Sequence, residues 1–283
     1  MSETTETGIV RTAVQVDGEP ASYLTVEQDG PAVLLLHGTY WSRVWLPVLE
    51  RVAEAGLRPL AVDFPGMGRS EGELTLETAT VPALADWVTR FADALGISGP
   101  VAVAGHDIGG AVAQHLLTGG RLEVSRLVLV NSVLYDSWPA PHVAELLDPE
   151  AGAAITAEDF LTARREAVAA DLAGAATEQR IAEYVDPWTE PRVRRSWLAM
   201  AGAADSRYTL ELLSPLRRTT TTPKLLIWGE DDRFEKVEYA EKFAGEVPRS
   251  TLVRIPEARH IPTENAPGRI ARALTDFLAG DAR

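Results

Sequence analysis

The sequence predicts an α/β fold, in which a mostly parallel, doubly wound sheet carries helices on both faces. Three observations predict it: short runs that are apolar at every position recur along the chain, helix-like segments separate them, and one connection is far too long for an ordinary crossover. The chain has 283 residues, of which 46% are hydrophobic and 24% charged. This composition supports one large core and excludes a disordered or fibrous protein.

The strands can be placed in order along the chain. Residues 8–16 and 22–28 flank the turn signal Asp17-Gly18, and this pattern predicts an N-terminal antiparallel hairpin. Six apolar runs follow and predict buried parallel strands, which completes a sheet of eight strands: residues 33–36, 59–62, 101–104, 127–130, 225–228 and 252–255. Amphipathic periodicity predicts helices between them, at residues 81–95, 111–117 and 237–244.

The long connection separates the strand that ends near Asn131 from the strand that begins near Leu225, and it holds about 90 residues. Helical periodicity extends over residues 160–172, 181–185, 193–200 and 210–216. We therefore predict a core formed by residues 1–133 and 223–283, with a helical lid of residues 134–222 inserted after the sixth strand. A lid at this place covers the carboxyl edge of the sheet, where open α/β sheets bind ligands.

Charge and cysteine content exclude several classes of function. Acidic side chains outnumber basic ones 41 to 27, so the net charge of −14 would repel nucleic acid and anionic membranes. The absence of cysteine excludes a thiolate nucleophile, a disulfide and a zinc–thiolate site. The segment MSETTETGIV lacks the features of a signal peptide and no apolar run is long enough to cross a membrane, so we expect a cytoplasmic location.

The motif that carries chemistry lies where the fifth predicted strand turns into a helix. Residues 101–111 read VAVAGHDIGGA, with glycines two positions before and two positions after Asp107. A residue on so sharp a turn is forced toward strained dihedrals, and only glycine-sized neighbours let the two backbones approach. This pattern is the Gly-x-nucleophile-x-Gly elbow with an aspartate at its centre. The N-terminus of the helix favours an ionised carboxylate that can attack carbon.

With this elbow, the chain resembles the α/β-hydrolase family over nearly its whole length. The other matching motifs are His37-Gly38 after the third strand, DFPGMGRS at residues 63–70, WGEDD at residues 228–232 and His260 after the eighth strand. The resemblance implies the α/β-hydrolase fold, an eight-stranded, mostly parallel sheet with a lid after strand six. It further implies structural roles for His37 and His106, which shape backbone turns beneath the site.

The family resemblance also assigns a catalytic triad, in the order nucleophile, acid and base. Asp107 is the expected nucleophile, Asp232 the acid and His260 the base. Attack of the carboxylate on an sp³ carbon gives an alkyl ester, which His260 hydrolyses by deprotonating a water while Asp232 holds its tautomer. The backbone N–H groups of Thr39 and Ile108 are the expected oxyanion hole.

An aspartate at the elbow resembles epoxide hydrolases, haloalkane dehalogenases and haloacetate dehalogenases. Haloalkane dehalogenases place a tryptophan N–H directly after the nucleophile and haloacetate dehalogenases place arginines just after it, whereas this chain has Ile108 and Ala111 there. Epoxide hydrolases use lid tyrosines to protonate the ring oxygen, and Tyr184 and Tyr208 are the candidates here. Their usual proline two residues after His-Gly is replaced by Tyr40, which predicts a loop of different shape with Tyr40 in the pocket.

Aromatic side chains indicate a pocket for an apolar or aromatic small molecule, with Tyr40, Trp41 and Trp138 as the expected contacts. We predict a hydrolase that opens an epoxide to a vicinal diol. We expect it to need no cofactor, because the sequence has no Rossmann fingerprint, P-loop or metal-ligand spacing. The alternatives are a dehalogenase, a lyase or cyclase that acts on a specialised metabolite with His260 as base, and a ligand-binding receptor on the same scaffold. The helices of a lid and those of a dimer interface have the same hydrophobic periodicity, so the sequence leaves open whether the protein forms a homodimer.

Overall fold

The sheet contains the eight predicted strands. A computed structural model describes residues 3–4 and 8–280 of the chain, so the N-terminal segment used for the compartment prediction lies partly outside the described residues. The eight strands are β1 (Ile9–Val16), β2 (Glu19–Val26), β3 (Ala32–Leu36), β4 (Arg58–Val62), β5 (Val101–Asp107), β6 (Val124–Ser132), β7 (Lys224–Gly229) and β8 (Ser250–Ile255). A further two-residue strand, Glu3–Thr4, pairs with β1 at the edge.

The order of the eight strands in the sheet is β1-β2-β4-β3-β5-β6-β7-β8. Strand β2 pairs antiparallel with β1 and β4, and all pairs from β4 to β8 are parallel. Strand β3 lies at the centre, where residues Val33 to Leu36 are all 0% exposed because both faces of the strand are covered. The predicted α/β-hydrolase fold with a mostly parallel sheet is therefore confirmed.

The N-terminal hairpin is tighter than predicted. Asp17 and Gly18 have φ angles of 54° and 88°, and Val16 pairs with Glu19 across a two-residue loop. Positive φ at both loop residues is the signature of the type I′ turn, whose twist matches that of the strands. Pairing therefore begins at Glu19, whereas the sequence pattern predicted the second strand to begin at residue 22.

Helices connect the strands and build the lid. In chain order they are α1 (Leu46–Glu54), α2 (Val81–Ala94), α3 (Ile108–Gly119), α4 (Pro141–Ala144), α5 (Pro149–Ala154), α6 (Ala157–Leu172), α7 (Glu178–Val185), α8 (Pro191–Gly202), α9 (Arg207–Leu210), α10 (Leu213–Arg218), α11 (Val237–Glu246), α12 (Pro262–Asn265) and α13 (Pro267–Ala279). Short 3₁₀ helices occur at Ser42–Trp45, Glu145–Leu147, Ala173–Ala175 and Asp186–Thr189. Helices α4 to α10 all lie between β6 and β7.

One predicted lid helix is interrupted. The sequence pattern predicted a continuous helix over residues 210–216, but the structure has α9 and α10 on either side of residues 211–212. Pro215 has no N–H to donate to a carbonyl one turn earlier, so it is accommodated in the first turn of a new helix. Of the helices that the structure describes, none has the length and hydropathy that a membrane crossing requires.

The topology fixes where a ligand can bind. The crossover from β3 through α1 leads to β4 on one side, and the crossover from β5 through α3 leads to β6 on the opposite side. Since such crossovers are right-handed, α1 and α3 lie on opposite faces of the sheet. The connections that leave β3 and β5 therefore run in opposite directions across the sheet. The crevice at their carboxyl ends is the topological switch point, which is where open α/β sheets bind ligands.

Candidate active site

The end of β5 holds Asp107 in a strained conformation at this switch point. Its φ and ψ angles are 54° and −128°, in a region that side-chain-bearing residues rarely adopt. Neighbouring glycines make the turn possible: a Cβ on Gly105 would lie 2.3 Å from the Gly109 oxygen, and a Cβ on Gly109 would lie 2.5 Å from the His37 oxygen. The turn has the geometry of the nucleophile elbow that the glycine spacing predicts.

One carboxylate oxygen of Asp107 is held by the loop after β3. The Thr39 N–H and the Thr39 Oγ1 both donate to Asp107 Oδ2, at 2.9 and 2.8 Å. A Cβ on Gly38 would lie 2.4 Å from the same oxygen, so only glycine permits this approach. Within the part of the chain that the structure describes, Asp107 Oδ1 accepts no hydrogen bond. Thr39 thus fixes one oxygen of the side chain and leaves the other available.

Asp232 orients His260 through a short hydrogen bond. His260 Nδ1 lies 2.9 Å from Asp232 Oδ2, and both residues are buried. Asp232 also accepts hydrogen bonds from the Asn131 side chain at 2.6 Å and from the Phe234 backbone N–H at 2.8 Å. Since Asp232 is an acceptor, the proton of a neutral His260 lies on Nδ1, and Nε2 is the basic nitrogen.

The carboxylates around His260 set its protonation. Burial opposes a charge on this imidazole, but Asp232, Asp107 and Asp171 outweigh burial and raise the pKa of His260 to about 10. Burial would also raise the pKa of Asp232, and the charge and hydrogen bond of His260 hold that pKa below its usual value. The electrostatics therefore favour a protonated His260 that is paired with an ionised Asp232.

This arrangement predicts a specific dependence of stability on pH. The pKa of His260 is raised from 6.5, so the stability it contributes is fully present below about pH 6.5 and is lost as the pH rises toward 10. Over this range we expect wild-type protein to lose free energy of unfolding relative to His260→Gln. Urea unfolding of both proteins at several pH values measures the difference. Parallel curves between pH 6.5 and 10 would contradict the assignment.

The two histidines that the sequence interpretation called structural bond to the backbone. His37 Nε2 accepts from the Phe64 N–H at 3.0 Å, and its Nδ1 lies 2.8 Å from the Gly38 oxygen. His106 Nε2 lies 2.7 Å from the His260 oxygen. Burial and the adjacent His260 lower the pKa of His106, which keeps it neutral. Both side chains therefore brace the loops that carry the site.

A cavity between the sheet and the lid, called the central cavity below, adjoins the candidate triad. It encloses about 590 Å³ of free space, counting the part that opens to solvent. Its polar lining includes Thr39, Asp107, Arg164, Asp171, Glu235 and His260. Its apolar lining includes Ile108, Val133, Trp138, Val143, Trp197 and Phe234. Apolar walls with a few convergent polar groups are typical of small-molecule sites.

Two of the predicted substrate contacts line the central cavity. Tyr40 is 5% exposed, and its hydroxyl donates to Asp171 Oδ2 at 2.7 Å. Trp138 donates its indole N–H to Thr209 Oγ1 at 2.8 Å, so it offers the cavity an apolar ring. The predicted oxyanion residue Ile108 also lines the cavity. As the first residue of α3 it has an N–H without an acceptor inside the helix.

The other three predicted contacts lie outside the lining of the central cavity. The Tyr184 hydroxyl donates to Glu264 Oε1 at 3.0 Å, and Trp41 donates its indole N–H to the Tyr184 oxygen at 3.2 Å. Tyr208 is half-buried on α9. Tyr184 and Trp41 thus make contacts between the lid and the core, and a role of Tyr184, Tyr208 and Trp41 in substrate binding stays a prediction.

Three charged residues of the cavity wall were not predicted from the sequence. Glu235 follows Asp232 by three residues at the carboxyl edge of the sheet, and this proximity was a usable signal. Arg164 and Asp171 are spaced seven residues apart on α6. That spacing puts them on one helix face with Ala167, and a charge on an otherwise apolar face indicates a buried role.

The surroundings of Glu235 favour its neutral, protonated form. It is 4% exposed, and Ser137 Oγ donates to its Oε2 at 2.5 Å. Burial raises the pKa of Glu235 well above its usual value; the Ser137 hydrogen bond opposes this, and the charges of Asp232 and Asp107 add to it. The central cavity therefore holds, beside the candidate nucleophile, a carboxyl group whose surroundings favour the protonated form. No group of three or more side chains that could hold a metal ion occurs among the described residues.

Comparison with known proteins identifies the family. The profile of the "Alpha/beta hydrolase family" matches residues 33–273, and the chain belongs to that family. Among curated relatives, the protein YfhM of Bacillus subtilis, an AB hydrolase superfamily protein, is 25% identical over 89% of this chain and 91% of its own. Haloalkane dehalogenase 2 of Mycobacterium tuberculosis is 28% identical over 88% of both chains.

A third relative carries the name of a different enzyme class. Human epoxide hydrolase 4 is 25% identical over 91% of this chain and 75% of its own. Among solved structures, haloalkane dehalogenase DbeA from Bradyrhizobium elkanii superposes with a TM-score of 0.82 at 22% identity, covering 96% of this chain and 98% of its own. This protein is thus a hydrolase of the α/β-hydrolase type, related to haloalkane dehalogenases and an epoxide hydrolase.

Proposed function

We propose that this protein opens an epoxide to a vicinal diol through an alkyl ester of Asp107. One observation carries the proposal: the Asp107 carboxylate lies on a strained elbow in the wall of the central cavity, with Oδ2 held by Thr39 and with Oδ1 accepting no hydrogen bond from any described residue. A serine there would need a base to become a nucleophile. A carboxylate is already ionised and attacks an sp³ carbon directly.

The first half-reaction forms the ester. Asp107 Oδ1 attacks a ring carbon, the C–O bond of the epoxide breaks, and its electron pair passes to the ring oxygen. That oxygen takes the proton of Glu235, whose neutral carboxyl lines the same cavity. Glu235 then regains a proton from the protonated His260, because its buried site disfavours the carboxylate. These transfers leave His260 neutral at the moment when a base is needed.

The second half-reaction hydrolyses the ester. Neutral His260 accepts a proton from water, and the hydroxide attacks Cγ of Asp107, while Asp232 stabilises the imidazolium that forms. The N–H groups of Thr39 and Ile108 hold the oxyanion. Collapse expels the diol alkoxide, which takes the proton left on the Asp107 carboxyl. Asp107 is again ionised, and His260 and Glu235 are again protonated.

The leaving group decides between an epoxide and a halide. An alkoxide must be protonated, and the central cavity offers the carboxyl group of Glu235 and the hydroxyl group of Tyr40 for this purpose. Burial raises the pKa of Tyr40 well above its usual value, and its hydroxyl is already given to Asp171, so Glu235 is the better donor. A halide needs N–H donors beside the nucleophile, and the side chain of Ile108 has none.

Dehalogenation is the second candidate. Relatives that carry the name haloalkane dehalogenase reach 28% identity over most of the chain. In this alternative Asp107 and His260 keep their roles, and the departing halide needs no proton. Glu235 therefore has no catalytic role in that reaction.

Replacement of Glu235 by glutamine separates the two candidates. Glutamine keeps the shape and the Ser137 contact but cannot donate an acidic proton, so we expect opening of styrene oxide to fall by about 10²-fold. The displacement of halide from 1-bromo-2-phenylethane, if the enzyme catalyses it, is expected to change less than threefold. Diol and bromide are quantified for both proteins. Unchanged diol formation would exclude Glu235 as the acid, and bromide release without diol formation would favour the dehalogenase.

A further inference from the structure

Arg164 is a charged side chain of the central cavity whose guanidinium packs against aromatic rings. Its guanidinium carbon lies 4.4 Å from the centroid of a Trp197 ring and 5.9 Å from that of Phe160. Across the described ranges 3–4 and 8–280, it forms no hydrogen bond and no ion pair. Its neighbour Arg165 is exposed and pairs with Glu178 at 2.6 Å.

Arg164 is half-buried, and the one buried arginine among the described residues is paired. This residue, Arg43, is 8% exposed and bonds to Glu183 and Glu264, each at 2.8 Å. Taking a guanidinium out of water is costly unless an anion compensates it. Burial lowers the pKa of Arg164, but its charge remains because guanidinium does not deprotonate in proteins. Arg164 therefore keeps a charge and unused N–H donors in the cavity wall.

The carboxylates that share the central cavity have other partners. Asp171 accepts the Tyr40 hydroxyl on Oδ2 and lies 3.2 Å from the Arg233 guanidinium through Oδ1. Asp107 bonds to Thr39, and Glu235 is protonated. His260 adds a positive charge. The charge of Asp171 also favours a charged Arg164, but among the described residues no carboxylate forms a hydrogen bond or an ion pair with Arg164.

We propose that Arg164 binds a carboxylate of the substrate, so that the natural substrate is an epoxide whose apolar body ends in a carboxylic acid. A guanidinium presents parallel N–H donors that match a carboxylate in a bidentate geometry, and the ring of Trp197 holds its plane. The apolar walls would contact the body of the molecule. The epoxide part of this statement rests on the proposed function, whereas the recognition of the carboxylate stands on Arg164 alone.

The acidic surface does not contradict an anionic substrate. The net charge of −14 acts over long distances and lowers the rate of encounter. Within the cavity, the nearby cation and the exclusion of water dominate the affinity of a bound carboxylate. The proposal therefore adds one anionic group to the apolar or aromatic substrate that the sequence predicts.

Binding of unreactive acids tests the proposal without any turnover. The probes are benzoate, phenylacetate, 3-phenylpropionate and 4-phenylbutyrate, each compared with its own primary amide by titration calorimetry. We expect wild-type protein to bind at least one acid about tenfold more tightly than its amide. Arg164→Gln is expected to reduce this preference to less than twofold, and the matched control Arg165→Gln is expected to retain it.

Arg164→Lys keeps the charge but loses the planar fork, and it serves as a second variant if Arg164→Gln folds poorly. We expect it to retain part of the acid preference, between the wild-type and the glutamine values. The proposal is overturned if wild-type protein prefers none of the four acids, or if Arg164→Gln keeps the preference. Because no probe contains an epoxide or a halide, the result is independent of whether Asp107 is a nucleophile.

Discussion

Replacement of Asp107 by asparagine is expected to lower kcat by about four orders of magnitude or more. The amide can accept the two Thr39 hydrogen bonds through its oxygen, so the elbow keeps its geometry. It carries no charge, however, and cannot displace an alkoxide from carbon. Steady-state diol formation measures the loss, with thermal unfolding as the check that the variant is folded.

Asp231→Asn is the matched control for this experiment, because Asp231 is an exposed carboxylate beside the triad loop. We expect it to retain kcat within about twofold, as surface substitutions usually have small effects. Retention of more than about 1% of kcat by Asp107→Asn would contradict nucleophilic catalysis. That result would favour proton transfer with His260 as the base, which is the lyase or cyclase alternative.

Replacement of His260 by alanine is expected to stop the reaction after its first half. Ring opening needs only Asp107 and the proton that Glu235 holds, whereas ester hydrolysis needs a base for water. We expect each enzyme molecule to consume one molecule of epoxide and form the Asp107 ester at a rate near that of wild-type protein. Steady-state turnover is then expected to be reduced by about 10⁴-fold. Rapid quenching of the first turnover separates the two phases.

His115→Ala provides the histidine control, since His115 is half-buried on α3 and does not line the central cavity. It is expected to show wild-type kinetics in both phases. If His260→Ala slows the first turnover as much as the steady state, His260 acts before the ester forms, and the division of the mechanism into two halves is wrong.

Local constraints made the elbow and its surroundings predictable from sequence. A strand followed by a sharp turn leaves only glycine at the crowded positions, and Gly105 and Gly109 reveal this without knowledge of the rest of the fold. The buried strands are readable for a similar reason, because parallel strands covered on both faces must be apolar throughout. The family resemblance then assigned Asp232 and His260 by their order and spacing.

The lid was less predictable, because periodicity reveals that a residue is buried but not what covers it. Tyr184 is 0% exposed, as a catalytic lid tyrosine would be, yet its hydroxyl bonds to Glu264 on the core. Glu235 lies in an irregular loop, where no hydrophobic periodicity indicates which side chains are buried. Arg164 is an exception, since a charge on the apolar face of a predicted helix can be recognised from the sequence.

The most direct test of the central claim is the intact mass of His260→Ala after incubation with a panel of epoxides and alkyl halides, followed by peptide mapping. We predict a gain equal to the whole mass of an epoxide, located on Asp107. A gain equal to an alkyl halide minus hydrogen halide, with no epoxide adduct, would make the protein a dehalogenase. If wild-type protein turns over a compound of the panel and His260→Ala accumulates no adduct on Asp107, the proposed ester intermediate does not exist.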